Sequence, residues 1–352
     1  MLTYTFKRLL LIIPTLIGII TLNFFIIQFT PTGPVEQMIA QLQGHTSSKM
    51  DQISGVNQDL VEDKDKFGID AELRAEIEKS FGFDKPIFER YFDMLKNYLI
   101  FDLGDSYFHN KPVWDLIIEK MPVSISLGIL STLLIYFISI PLGVLKAVKN
   151  GSKFDIYTTT ILAIGTAIPT FLFAIFLIII FSSGSFLELF PMRGLVSDNF
   201  ESMNYFEKIA DWIWHLTLPV TALVIGSFAT MTMLTKNSFL DEVEKQYVVT
   251  ARSKGLKESD ILYKHVFRNA MLIIIAGIPS AIIGILLTGS VLIEIIFSLD
   301  GLGLLGFESI LNRDYPVIFG TLYIFTLISL IVNIITDLVY RFIDPRIDFE
   351  TR

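Results

Sequence analysis

Six long apolar stretches, none of which contains Lys, Arg, Asp or Glu, limit what this chain can fold into. A bilayer core of about 30 Å needs about 20 apolar residues in a helix, because only helices and closed barrels satisfy their own backbone in lipid. The sequence therefore predicts an all-α, polytopic membrane protein with six transmembrane helices, at Leu9–Phe29, Ser124–Leu145, Ile156–Phe181, Leu216–Leu234, Met271–Ile293 and Val317–Thr336.

The composition agrees with a membrane protein. Apolar residues make up 52% of the chain and charged residues 18%, whereas a soluble domain has about 25% charged residues. The net charge of −8 argues against a nucleic-acid partner. The chain has no cysteine, which excludes disulfides, thiolate metal sites and Cys nucleophiles.

The first apolar stretch has two interpretations. Lys7 and Arg8 precede it, as basic residues precede the core of a signal peptide. The stretch is longer than the 7–15 residues of such a core, and no small-residue cleavage site follows. We therefore expect residues 1–30 to be an uncleaved first transmembrane segment.

The distribution of cations in the short loops predicts the orientation. Cations cluster in the loops on the side of the N-terminus, whereas the opposite short loops, 182–215 and 294–316, carry only Arg193, Lys208 and Arg313. Cytoplasmic loops carry the excess of Lys and Arg, so both termini are expected in the cytoplasm. All three tryptophans then lie at the outer ends of spans, as interfacial anchors do: Trp114, Trp212 and Trp214.

Between the first two spans lies an outer segment, residues 31–123. Its first half, with a polar insertion near residues 45–68, is weakly patterned and predicts a loosely folded insertion. The second half predicts amphipathic helices at Ala71–Phe81, ended by Gly82, at Tyr91–Ile100 and at Pro112–Lys120. On the last of these we expect three side chains to face lipid or a partner: Trp114, Ile117 and Ile118.

Local signatures of catalysis are absent from the sequence. There is no HExxH, GxSxG, Walker A or dinucleotide motif, so we expect no catalytic residue, no metal site and no energy source within the chain. An ion-coupled carrier usually has acids or histidines inside its bundle. Here Glu294 and Asp337 stand only at span ends, where we expect acids that are hydrated or paired with a neighbour.

The long inner loop, residues 236–268, is the most informative segment. The sequence YVVTARSKGL (residues 247–256) includes Gly255, which is suited to a helix stop, and a helix restarts near Lys257. A helix, a glycine turn and a second helix let another protein approach the backbone closely. The alternative is an amphipathic loop that lies on the lipid headgroups.

This loop resembles the EAA loop of ABC-importer permeases, in the form found in oligopeptide and dipeptide permeases (YVxTARxKGL). The resemblance covers nearly the whole chain and is carried by an ordered series of further motifs: Ile13-Pro14-Thr15, Gly82-Phe83-Asp84-Lys85-Pro86, Asp102-Leu103-Gly104-Asp105-Ser106, Arg268-Asn269-Ala270, Gly301-Leu302-Gly303, Arg313-Asp314-Tyr315-Pro316 and Asp344-Pro345-Arg346-Ile347. The polar insertion, Ser298-Leu299-Asp300-Gly301 and the last of these motifs are most similar to the permeases that import microcin C and peptides.

The resemblance implies a type I ABC-importer permease in a bacterial inner membrane. Such a chain pairs with a second permease, with two cytoplasmic ATPase subunits or one fused ATPase, and with an extracytoplasmic substrate-binding protein. It needs no cofactor of its own because the partner subunits bind ATP-Mg. Its expected cargo is oligopeptides or peptide-like compounds, including microcin C-type compounds. The implied domains are residues 1–30, 31–123, the five-helix permease domain 124–341 and a cytoplasmic tail 342–352.

The same resemblance implies which residues couple to the ATPase. Ala251 and Gly255 are expected to allow close approach, and Val249 replaces the glutamate of the general motif. Ile273 replaces a usual proline, which predicts a straighter start to span five, with its kink at Pro279. The full set of coupling residues is Tyr247, Val249, Thr250, Ala251, Arg252, Lys254, Gly255 and Leu256.

Small and hydroxyl residues in spans three and five indicate either a translocation path or close helix–helix packing. The path candidates are Thr166, Pro169, Ser280 and Thr288. The competing function is an autonomous channel or secondary transporter, which would need internal symmetry or buried ionisable groups that the sequence does not show. A membrane-embedded enzyme is disfavoured because the spans lack His, Cys and acids.

Overall fold

The computed structural model describes residues 2–28, 34–42, 71–80, 82–182, 184, 186–287 and 291–343. The predicted insertion near residues 45–68, Thr288 and the tail from residue 344 lie outside these ranges.

The described part is helical, which confirms the all-α class. Its helices are α1 (Leu2–Gln28), α2 (Pro34–Leu42), α3 (Ala71–Ser80), α4 (Ile87–Leu99), α5 (Val113–Val148), α6 (Lys153–Ala167), α7 (Thr170–Phe181), α8 (Tyr205–Val243), α9 (Gln246–Ser253), α10 (Phe267–Leu287), α11 (Val291–Ile296), α12 (Leu302–Asn312) and α13 (Tyr315–Ile343).

Five helical segments in the described residues are long and apolar enough to cross a membrane, and the count reaches six if the bent pair α6–α7 is one span. This agrees with the six predicted spans. The fifth predicted span, Met271–Ile293, lies in α10 as far as Leu287, and the continuous apolar helical segment starts earlier than predicted, at Glu258. A π-helical turn at Ile261–Val266 leads into α10, which continues through Pro279.

The third predicted span is not one straight helix. α6 and α7 meet at an angle of 95°. Pro169 has no backbone N–H to continue the helix, and a proline disfavours helical backbone in the residue before it. Ile168 accordingly adopts an extended conformation, with φ −88° and ψ 121°.

The predicted helix Pro112–Lys120 is not a separate element. It continues into the second span as α5, which has Pro122 and Pro141 in its interior. Bundled membrane helices tolerate such prolines because neighbouring groups satisfy the freed carbonyls. Trp114 and Ile118 are exposed, as predicted, but Ile117 is 1% exposed, so the prediction that it faces lipid or a partner is wrong.

The chain divides into two compact units. The first comprises Met1–Thr5, Lys120–Leu304 and Ile328–Arg352, and within it α8 packs against α6, α7 and α10. The second comprises Phe6–Glu119 and Leu305–Leu327. In the second unit the buried carboxylate of Asp314 accepts hydrogen bonds from the Ser106 hydroxyl (2.5 Å) and the Tyr107 N–H (3.2 Å).

Side-chain caps define where two helices of the first unit begin. The Ser152 hydroxyl accepts from the N–H of Asp155 at the start of α6. Asn204 begins α8 with a capping box, in which Asn204 accepts from the Glu207 N–H and Glu207 accepts from the Asn204 N–H. Each cap satisfies amide groups that a helix leaves without a partner in its first turn.

Candidate functional site

The inner-loop hairpin, defined as residues 246–266, has the predicted helix–glycine–helix form. α9 ends at Ser253, Gly255 adopts φ +78°, and the helix restarts at Glu258. The Gly255 N–H donates to the Arg252 carbonyl (3.0 Å). Glycine suits this turn because a side chain strains left-handed backbone. A Cβ at Gly255 would meet no atom within 4 Å, so the space beside the turn is open.

One face of the hairpin is buried against the neighbouring ends of the long helices. Val248 and Ala251 lie in one cluster with Phe239 of α8, Ala147 of α5 and Ala270 of α10. Ala251 is only 6% exposed. The Ala251 side chain therefore packs in this cluster, and the expected close approach of a partner at Ala251 stays a prediction.

The opposite face of the hairpin is exposed. Val249 is 51% exposed, and Leu256 and Tyr263 are exposed beside it. The other predicted coupling residues on this face are Thr250, Arg252, Lys254 and Gly255. Sequence reasoning missed Tyr263. Its position could have been predicted, because Ile261, Leu262 and Val266 form the apolar face of this helix and Tyr263 lies off that face. The exposed face thus combines large apolar side chains with cations.

Polar contacts stiffen the hairpin. The Tyr247 hydroxyl donates to the Glu242 carboxylate (2.6 Å) and accepts from the Asn269 amide (3.1 Å). Burial, together with the Glu242 carboxylate, raises the pKa of Tyr247, so its hydroxyl remains a donor. Across the glycine turn, Arg252 donates twice to Glu258, at 2.6 and 3.0 Å. Tyr247 and Arg252 therefore hold the hairpin's shape.

A buried charge cluster that sequence reasoning missed, named here the charge clamp, joins three helices beside the hairpin. It consists of Lys146, Asp155 and Lys236. The Asp155 carboxylate lies 2.9 Å from the Lys146 Nζ and 2.7 Å from the Lys236 Nζ. Lys146 is fully buried and also donates to the hydroxyls of Thr158 (2.8 Å) and Thr159 (2.7 Å).

Close backbone packing supports the clamp. A Cβ at Gly143 of α5 would lie 2.5 Å from the Thr235 Cβ and 2.8 Å from the Thr232 carbonyl of α8. Only glycine lets the two helices approach this closely. The ends of α5, α6 and α8 nearest the hairpin are thus held together.

The described path candidates lie on different helices of the first unit. Thr166 is exposed near the end of α6, and its hydroxyl donates to the Ala163 carbonyl (2.9 Å). Pro169 forms the bend before α7, and Ser280 is exposed on α10. At the bend a Cβ on Gly226 of α8 would lie 3.4 Å from the Thr170 Oγ1, so small residues here also serve packing.

Glu294, expected to be hydrated or paired with a neighbour, is paired with backbone N–H groups. It is fully buried, and its carboxylate accepts from the Leu304 N–H (2.7 Å) at the start of α12. A Cβ at Gly301 would lie 2.7 Å from this carboxylate. Glu294 thus stabilises the N-terminus of α12. Among the residues that the structure describes, no group of three or more acids or histidines could hold a metal ion.

Comparison with known proteins decides the family. Residues 139–349 match the model of the binding-protein-dependent transport system inner membrane component. The chain belongs to this family. It is 56% identical to the peptidoglycan transport system permease protein YejB of Agrobacterium fabrum, over 99% of both chains. It is also 56% identical to the inner membrane ABC transporter permease protein YejB of Escherichia coli O157:H7, again over 99% of both.

A more distant relative is the oligopeptide transport system permease protein AppB of Bacillus subtilis, 35% identical over 99% of this chain and 100% of that one. Among solved structures, a chain of the inward-facing MetNI methionine ABC transporter has a TM-score of 0.48 at 16% identity, over 65% of this chain and 97% of that chain.

This chain is therefore a multi-pass membrane permease subunit of an ABC importer, and its homologues serve peptide import. Family members have no catalytic site or cofactor of their own, and they work with an ATPase, a second permease and a substrate-binding protein. The family assignment displaces the autonomous channel and the secondary transporter as alternatives.

Proposed function

We propose that this permease imports oligopeptides or peptide-like compounds, and that its inner-loop hairpin is the contact through which partner ATPases drive it. The observation that carries the proposal is the division of the hairpin into a packed face and an exposed face. Val248 and Ala251 fasten it to the long helices, whereas Val249 and Leu256 remain exposed. A rigid element with one uncovered apolar face suits a partner that pushes on it.

The charge clamp supports a lever-like role for the hairpin. α8 carries Lys236 and, after Glu244 and Lys245, leads directly into α9. A displacement of the hairpin would therefore reach α5 and α6 through buried contacts instead of being lost in a flexible loop. Packed interfaces transmit such displacements because they deform little.

The proposed assembly is a heterodimer of this chain and a second permease, with two ATPase subunits or one fused ATPase. ATP-Mg binds to the ATPases, and a binding protein delivers cargo on the opposite side of the membrane. The cations of the hairpin then face the cytoplasm, as do both termini, in agreement with the excess of Lys and Arg in the loops on this side.

The proposed cargo follows from the relatives, whose names specify peptidoglycan and oligopeptide transport. Peptide fragments of peptidoglycan and microcin C-type compounds share a peptide backbone with variable side groups. A path lined by hydroxyl and small residues, such as Thr166 and Ser280, binds backbone groups without selecting for side-chain charge. Thr288 and the bend at Pro169 complete the proposed path.

Site-specific photo-cross-linking tests the hairpin contact. p-Benzoylphenylalanine replaces Val249 or Leu256 in the complete importer, and Tyr205, exposed at the other end of α8, is the matched control. We expect an adduct with the ATPase from positions 249 and 256 and none from 205. An ATPase adduct from position 205 alone would mean that the opposite end of α8 faces the ATPase. The absence of an ATPase adduct from both hairpin positions would overturn the proposed contact.

A further inference from the structure

Helix α4 of the second unit carries three distinct faces. The inward face consists of Tyr91, Met94 and Tyr98, which recur at helical spacing. Tyr98 is buried, and its ring lies 5.2 Å from that of Tyr323. The Tyr91 ring lies 5.4 Å from that of Phe24. This face accounts for the attachment of α4 to its own unit.

The second face is apolar and uncovered. Phe88, Phe92 and Leu99 are 67%, 64% and 71% exposed, and their spacing of four and seven residues places them in one stripe. Ile100 and Phe101, immediately after the helix, are exposed as well. Folding in water would not leave so many large apolar side chains together on one short helix.

The third face is polar and exposed, and it carries Glu89, Asp93, Lys96 and Asn97. At 100° per residue, the centre of this face is roughly 105° from that of the apolar stripe, and the centre of the inward face is equally far from the stripe on the other side. Around its axis, α4 therefore has a packed face, an exposed apolar face and an exposed polar face.

The apolar stripe is continuous with the first transmembrane span. The Phe25 ring of α1 lies 6.4 Å from that of Phe88 and 5.8 Å from that of Tyr91. The hydroxyls of Thr21 and Tyr91 are 2.6 Å apart. Leu22, one residue beyond Thr21, is exposed on α1. The stripe thus begins beside a helix that is long and apolar enough to cross a membrane.

We propose that α4 lies in the plane of the bilayer–water interface, with Phe88, Phe92 and Leu99 inserted among lipid acyl chains and its polar face in water. Interfacial helices have this arrangement of a strongly apolar and a charged face. The outer segment is then anchored to the leaflet through α4. Only the polar face, with Glu89, Asp93 and Asn97, remains open to a protein arriving from the aqueous side.

The natural lack of cysteine makes a direct test possible. Single cysteines replace Phe88, Phe92 and Leu99 on the stripe, Glu89 and Asn97 on the polar face, and Leu22 on α1 as the lipid reference. Each carries a nitroxide in the complete importer, in phospholipid nanodiscs. Collision rates with oxygen, which partitions into lipid, and with a water-soluble nickel chelate then report the surroundings of each position.

We expect the three stripe positions to behave as Leu22 does, with frequent oxygen and rare nickel collisions, and Glu89 and Asn97 to show the reverse. Low rates with both reagents along the stripe would mean that a protein partner covers it and would overturn the proposal. High nickel rates along the stripe would place it in water and overturn it as well.

A second readout covers the case in which a labelled variant fails to assemble. Phe92→Trp, with Trp114, Trp212 and Trp214 replaced by Phe, leaves a single tryptophan on the stripe. Brominated lipid should then quench its fluorescence at least twofold, whereas the same design at Asn97 should show little quenching. Equal, weak quenching at both positions would contradict insertion.

Discussion

The Asp155 carboxylate contacts the Lys236 ammonium group at 2.7 Å, a link between residues 81 positions apart. Both side chains are nearly buried, and the other oxygen of Asp155 faces the buried Lys146. A single carboxylate therefore neutralises two buried ammonium groups, where the ends of α5, α6 and α8 nearest the hairpin meet.

Removal of this anion should destabilise the permease strongly. Asp155→Asn leaves two buried ammonium groups without a carboxylate, and breaking a buried pair costs about 3–5 kcal/mol. We expect a clearly lower midpoint of thermal unfolding for the detergent-solubilised importer. Asp241→Asn, at an exposed acid near the end of α8, is the matched control and should leave the midpoint unchanged. Equal midpoints for the two variants would show that the clamp contributes no stability.

Gly143→Ala should separate α5 from α8. The added Cβ would lie 2.8 Å from the Thr232 carbonyl, and backbone cannot move aside as a flexible side chain can. Overpacking of this kind costs about 1–3 kcal/mol, measured as reduced thermal stability. Gly306→Ala is the control, because no atom lies within 4 Å of its added Cβ. A Gly143→Ala variant as stable as Gly306→Ala would refute the close approach.

Loss of the Glu294 cap should loosen the start of α12. Glu294→Ala removes the acceptor of the Leu304 N–H, which should cost about 1–2 kcal/mol by analogy with N-cap substitutions. Amide hydrogen exchange at Leu304 should accelerate. Glu294→Gln keeps an acceptor oxygen and should exchange at an intermediate rate. If the unsubstituted protein and both variants show the same exchange rate at Leu304, the Glu294 carboxylate does not stabilise this helix end.

The turn at Gly255 should tolerate asparagine better than valine. Gly255 has φ +78°, a region in which a β-branched residue is strongly disfavoured, whereas asparagine enters it more readily. We expect Gly255→Val to reduce substrate-stimulated ATP hydrolysis by the complete importer at least tenfold and Gly255→Asn to retain most of it. Full stimulation in the valine variant, at normal levels in the membrane, would mean that the turn plays no part in coupling.

Features carried by local patterns could be predicted from the sequence. Uncharged runs of membrane length predicted the spans, and Gly255 between two helical patterns predicted the hairpin. Gly82, with φ +70° after α3, likewise ends its helix as predicted. In each case the signal lies within a few neighbouring residues.

Features set by tertiary contacts could not be predicted. The charge clamp pairs residues far apart in the chain, and no local sequence pattern distinguishes Lys146 from the other loop cations. The packing of Ala251 against Phe239 and Ala270 is another such contact, because those residues lie on other helices. Pro122 and Pro141 do not end α5, whereas Pro169 separates α6 from α7, so a proline alone does not predict a break.

Peptide uptake by reconstituted vesicles tests the central claim most directly. Vesicles contain the complete importer with active ATPase, the importer with an ATPase inactivated in its nucleotide site, or this chain alone, and receive ATP and a labelled peptide with its binding protein. We predict accumulation of the peptide above its external concentration only with the active ATPase. Accumulation by this chain alone, or with the inactive ATPase, would contradict the account.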